Sequence, residues 1–185
     1  MKKESRRVKM TKMLLNESFL KFLAEKPLAR ITVKEICEEA DVNRSTYYAH
    51  YADPYDQLKK LETEILIEMS IFVDSILTEG MQNEKKQRQT IKGILEYIQS
   101  KKHIFRILLG KDGDLDLQRD ILTFFGERII GTQNSSKTAD PERACRFIYT
   151  STGSFGLIYH WIMADSSVSS DMLADWIIAL NRPHL

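Results

Sequence analysis

In RITVKEICEEADVNRSTYYAHYADPYDQL (residues 30–58), the eight positions from Arg44 to Tyr51 carry a guanidinium, two aliphatic hydroxyls, three phenols and an imidazole. Nothing aliphatic among them is larger than Ala49. Set at 100° per residue, Tyr47 and Tyr51 fall on one side, with Val42 close by in the preceding turn, and Ser45 and Ala49 fall on the opposite side. Arg44 and Tyr48 form one shoulder of that second side, Thr46 and His50 the other. A surface small at its centre and hydrogen-bonding at its margins can sink into the major groove of duplex DNA. There Arg44 would pair with guanine O6 and N7, and an Ala or Thr methyl would meet a thymine methyl. Tyr48 and His50, longer and lateral, would reach backbone phosphates. A Tyr-rich cover over a helical bundle is the competing reading. It is disfavoured because capping, spacing and outward chemistry agree on the first.

Other constellations carry less. Asp112, Asp114 and Asp116 alternate like a calcium loop, but Leu117 and Thr123 stand where that loop needs Gly and Glu, so they read as a solvated turn. TGSFG (152–156) lacks the lysine of a phosphate loop and falls in a helical pattern, where small residues allow close packing. His103, His160 and His184 lack metal-ligand spacing, and His160, beside Trp161, reads as a packing or interface residue. Cys37 and Cys145 are too few and too far apart for a disulfide framework or a zinc site, and read as small core residues of a reduced protein. Phe72, Phe105, Phe124 and Phe125 could line a cavity between helices but read as plain core. With no nucleophile, metal set or cofactor loop surviving, the chain is read as a non-enzyme with no cofactor and no metal.

The elements that must position residues 44–51 are helical throughout. Leu15, Phe19, Phe22 and Leu23 predict a first helix over roughly 5–25, stopped before Pro27. Thr32 with Glu35 three residues on is a capping box for a second helix, whose inner face is Val33, Ile36, Cys37 and Ala40. Asn43 caps the third. Asp53 and Pro54 open the fourth as N-cap and first helical residue, and Leu58, Leu61, Ile65, Met69, Phe72 and Ile76 carry it to about Glu79. GMQNEKKQRQ (80–89) reads as a polar linker. Helices near 90–100, 103–109 and 117–130 follow, with GKDGD (110–114) and GTQNSSKTAD (131–140) as loops. Asp140 and Pro141 open a helix to about Asp165, and Ser169 or Ser170 caps a last one ending near Asn181. The class is all-α, divided into an N-terminal helix-turn-helix domain (1–53) and a C-terminal bundle (54–185) entered through the long fourth helix. Two helices joined by three residues, the second entering the groove, make the helix-turn-helix geometry.

Charge supports that division. Residues 1–60 hold 13 Lys/Arg against 9 Asp/Glu, whereas residues 61–185 hold 14 against 17. Lys2, Lys3, Arg6, Arg7, Lys9 and Lys12 crowd the first twelve residues. They read either as a solvated tail or as an arm following the backbone or entering the minor groove. The Thr32 end of the second helix could hold a phosphate through its free amides. The N-terminus has no apolar core of a secretory signal, and no stretch approaches a membrane span, so the expected location is the cytoplasm.

With its Thr-start helix, short turn, Thr-aromatic-Tyr-x-His-aromatic helix, then Asp and a leucine-bearing helix, ITVKEICEEADVNRSTYYAHYADPYDQL resembles the TetR family of bacterial transcriptional regulators over roughly residues 10–60. That resemblance implies an Ω-shaped homodimer on a palindromic operator, acting as a repressor and released by an effector. Carried over by position, Arg44, Ser45 and Thr46 would face bases; Thr32, Tyr48 and His50 would hold phosphates; Tyr47 and Tyr51 would be core. Dimerisation would use the last two helices, around Phe147–Ile162 and Leu173–Leu180. Three positions depart from the family pattern: Asp41 for a turn Gly, Ser45 for a common Gly, and Pro54 for a phosphate-gripping Lys. SKKHIFRILLGKDGD (100–114) resembles, more loosely, the branch containing dihydroxyacetone-kinase operon regulators, some of which respond to a protein partner. The alternative function is accordingly a helical adaptor acting through a protein bound to the C-terminal domain.

Overall fold

The computed structural model describes residues 5–79, 84–110, 117, 119–124, 141–164 and 167–182. Helix accounts for most of them and no strand occurs among them, so the fold is all-α as the apolar spacing predicts. Two compact units emerge, residues 1–65 with 107–114 and residues 66–106 with 115–185.

The first unit holds α1 (Arg6–Glu25), α2 (Val33–Glu39), α3 (Arg44–Tyr48) and the first half of α4 (Pro54–Glu79). Ser5 starts α1 by accepting the Val8 amide at 3.3 Å, and Leu15, Phe19, Leu20 and Leu23 form its buried stripe. α2 packs on both α1 and α3. The Asp53 carboxylate opens α4 by accepting the Asp56 amide at 2.8 Å, and Pro54, lacking an amide proton, sacrifices no bond there. Regular helix in α3 ends earlier than the 44–51 pattern suggests. The amides of His50 and Tyr51 both turn to the Tyr47 carbonyl, at 2.8 and 2.9 Å, tightening the last residues into a turn.

The second unit contains the rest of α4, α5 (Glu84–Ser100), most of α6 (Lys102–Leu108), a helical stretch at 119–124, α7 (Pro141–Met163) and α8 (Ser170–Asn181). Ser169 caps α8 by accepting the Met172 amide. The polar linker expected over 80–89 is corrected here: from Glu84 onward it is helix. Its charges are one side of a ladder to α8. Arg88 grips Asp175 with two nitrogens, at 2.5 and 3.0 Å; Lys92 meets Asp171 at 2.9 Å; Glu84 meets Arg182 at 3.1 Å. Cys145 is a second correction. It is exposed, as are Ile148 and Tyr149 one turn further along the same helix. His160 is exposed too, while Trp161 is buried and donates its indole N–H to the Val168 carbonyl at 2.8 Å.

Phe105 is buried, and Phe72, Tyr97 and Phe105 form a chain of rings with centroids 6.0 and 6.2 Å apart. Gly93 lies so close that a Cβ there would sit 3.0 Å from the Phe72 ring. Phe125, the three aspartates at 112, 114 and 116, and the 131–140 loop lie outside the described residues. Among those described, no helix is long and apolar enough to cross a membrane, and no group of three His, Cys, Asp or Glu is placed to hold a metal ion.

Candidate nucleic-acid interface

α3 is held from its inner side. Tyr47 and Tyr51 are 0% and 3% exposed, with ring centroids 5.5 Å apart. The Tyr51 hydroxyl donates to Asn16 Oδ1 of α1 at 3.1 Å. Gln57 of α4, fully buried, donates its amide to the same oxygen at 3.1 Å and to the Leu15 carbonyl at 3.0 Å. Burial pushes the Tyr47 phenol well above its ordinary range, with Asp53 adding to the effect, so that side chain is neutral at any physiological pH.

The outgoing end of α3 is tied down by a lysine the sequence reading passed over. Lys60 Nζ lies 2.9 Å from the His50 carbonyl and 2.8 Å from Asp56 Oδ2, and that carboxylate also accepts the Ala52 amide at 2.8 Å. A cation at a helix C-terminus meets carbonyls left without helical partners. Its carboxylate partner is held below its usual range, first by Lys60 and then by the Ala52 amide. The i, i+4 spacing of Asp56 and Lys60 was the available signal. Gln57 had one as well, four residues before Leu61 on the inner stripe of α4.

The outer side is as the wheel places it. Arg44, Ser45, Tyr48 and Ala49 are exposed, Tyr48 to 57%, and Thr46 and His50 are half-buried. Asn43 Oδ1 organises the entry, accepting the Thr46 amide at 2.9 Å, the Thr46 hydroxyl at 2.9 Å and the Ser45 hydroxyl at 2.6 Å. With their protons turned inward, both hydroxyls have only lone pairs left to offer outward. The turn before them bends at Asp41, whose φ of 51° is left-handed. Asp tolerates that region better than most residues, which is how it substitutes for the Gly of the family pattern. Lys34, Glu38, Asp41 and Arg44 help line a hollow of about 610 Å³ between α2 and this turn.

Thr32 caps α2 and is exposed, but its donors are already engaged. Its amide donates to Glu35 Oε2 at 3.0 Å and its hydroxyl to the same oxygen at 2.8 Å, while Lys26 Nζ lies 2.7 Å from Oε1. Lys26 first, then Thr32, lower the Glu35 carboxyl from 4.5 to about 2. Lys9 is exposed on α1, and the basic stretch from Arg6 onward is helix rather than an extended arm. Of the predicted residues, Arg44, Ser45, Thr46, Tyr48, Ala49 and His50 share α3 and the turn that ends it. Thr32 stands at the head of the helix packed against α3, and Lys9 belongs to a different helix.

A second unusual surface lies on α7 and α8. Ile148, Tyr149, Tyr159, Met172, Trp176 and Leu180 are all exposed. A groove of about 730 Å³ runs among residues of both helices, including Cys145, Leu157 and Ile177. TGSFG lies within α7 as read, but a Cβ at Gly153 or Gly156 would meet nothing within 4 Å. The small residues therefore open a face of the subunit instead of closing one inside it.

Residues 85–182, just over half the chain, match the family model for the TetR-type transcriptional regulator C-terminal region. This chain belongs to the TetR family of transcriptional regulators. Among relatives in sequence is the HTH-type transcriptional regulator YxbF of Bacillus subtilis (strain 168), 19% identical over 165 residues, which include 86% of this chain. The chain spans 42% of that relative's length. A TetR transcriptional regulator from Streptococcus agalactiae 2603V superposes with a TM-score of 0.66 at 17% identity, over 96% of this chain and 97% of its own. A TetR-family regulator from Bordetella parapertussis 12822 gives 0.63 at 16% identity, covering 92% and 93%. The dihydroxyacetone kinase operon activator DhaS gives 0.60 at 15%, covering 92% and 93%. These structures share the TetR fold with this chain.

Proposed function

We propose that this TetR-family regulator binds a palindromic operator as a homodimer, with the outer side of α3 in the major groove, and that an effector releases it. One observation carries the reading: Tyr47 and Tyr51 are locked into the core while Ser45 and Ala49, between hydrogen-bonding shoulders, stay exposed. In this reading Arg44, Ser45 and Thr46 meet base edges, and Tyr48, His50 and Lys9 meet phosphates, with Thr32 joining them by exchanging its bonds to Glu35 for a phosphate oxygen. The basic N-terminal part supplies the non-specific attraction. The domains are residues 1–53 for DNA and 54–185 for dimerisation and the effector or partner. Pairing uses the exposed apolar side chains of α7 and α8, two helices from each copy closing a four-helix interface.

Repression is the proposed direction. A structure of the same fold is named an operon activator, so transcript levels of neighbouring genes in a deletion strain settle the sign for this chain. The binding claim is tested by selecting bound duplexes from a random pool with the full chain. Enrichment of an inverted repeat supports it. A pool that stays random at low salt, with the protein co-purifying with another protein instead, supports the adaptor reading.

A further inference from the structure

Beyond its basic residues, the outward face of α1 has no place in the reading above. Met10, Met13 and Leu14 are 49%, 46% and 38% exposed, on the side of the helix away from the buried Leu15 and Phe19. Two residues extend the same line, Arg6 at one end and Glu17 at the other, both exposed. Neither forms an ion pair among the described residues. Arg6, Met10, Met13 and Glu17 are spaced by four, three and four residues, the spacing of a seam along which two helices can interdigitate.

We infer that this seam docks against the same seam of a second copy, joining dimers that sit side by side on one duplex. The inference rests on the DNA-binding reading and adds an assembly to it. Charge complementarity selects the occupant. A twofold axis midway between positions 10 and 13 runs the two helices antiparallel. It sets Met10 against Met13 of the second copy, and Arg6 against Glu17 of the second copy, twice over. The pattern is complementary to itself, as a twofold contact requires. A parallel pairing would instead place arginine on arginine and glutamate on glutamate. Leu14 flanks the methionine layers and widens the apolar strip. Three part-exposed side chains fall far short of the ~1,000 Å² that a stable interface buries. The contact therefore forms only where DNA already holds two dimers together at high effective concentration.

The test uses the full chain and duplexes enriched in the pool selection, carrying either one site or two sites whose separation is stepped through a helical turn. Wild type should fill the second site about 5-fold or more tightly than a lone site at one helical phase, within the usual range for coupled sites. Met10→Glu should lose that gain while still retarding single-site duplex; Arg6→Glu should lose it too, read as the ratio of two-site to single-site affinity because the lost basic charge lowers both. Arg6→Glu combined with Glu17→Arg inverts the charges, keeps the self-complementarity and should restore the gain. Absence of any gain at every spacing overturns the inference. So does a gain indifferent to Met10→Glu, which assigns the coupling to another surface or to DNA, or a double variant that stays uncooperative. A chain that retards no single-site duplex contradicts the DNA-binding reading itself, and this inference falls with it.

Discussion

Arg44 and Tyr48 stand on one shoulder of α3 and are read for different work, the first for sequence and the second for grip. Arg44→Ala should weaken binding to the enriched duplex by ~1–3 kcal/mol and relax the preference at one base pair, whereas Tyr48→Phe should weaken all sequences alike. Competition titrations against single-base variants of the duplex separate the two outcomes. Glu35 supplies a pH signature at the neighbouring cap. Its folded value, about 2, lies below its ordinary 4.5, so its contribution to stability is complete above pH 4.5 and fades as pH falls towards 2. Glu35→Gln should remove that acid-side slope, read as the difference between the two unfolding midpoints across this window. At this scale the sequence was legible where a local rule governs. The capping box, the Asn43 cap and the left-handed Asp41 are all matters of a few neighbouring residues. The Asn16–Tyr51–Gln57 bonds and the Lys60 clasp on the His50 carbonyl join separate elements, so the local spacings that mark Lys60 and Gln57 do not name their distant partners.

At the scale of elements, apolar period and caps located most helices within a residue or two, because each helix buries one stripe. Residues 84–89 are helix where a polar linker is expected. Charged residues without an apolar neighbour look like linker, yet Arg88 and Glu84 are held by Asp175 and Arg182 roughly 90 positions later. Asp175→Ala should therefore fray the first turns of α5, seen as faster amide exchange over 84–90 with the rest of the helix unchanged, and high salt should mimic it in wild type. Gln57 is the internal counterpart. Gln57→Ala removes one buried and one part-buried hydrogen bond and leaves a gap between α1 and α4, and should cost about 2–3 kcal/mol in denaturant unfolding.

At the scale of the whole molecule, the proposed pairing rests on one face of α7 and α8. Ile148, Tyr149, Trp176 and Leu180 are exposed together there, the mark of an interaction surface, and if this is the pairing face Ile148→Asp should yield monomers by sedimentation with helix content unchanged. Sequence pattern marked these residues as apolar. It could not say whether they close a subunit or join two, because both uses draw on the same side chains. The central claim, that the small middle of α3 lies inside the groove, is tested most directly by Ala49→Trp. That residue is exposed on the outer side of α3. The measurement is affinity for the enriched duplex, with thermal unfolding and dimer mass as controls. With α3 in the groove, the variant is an intact, dimeric protein whose specific binding is lost. Wild-type affinity with an indole at position 49 would contradict it.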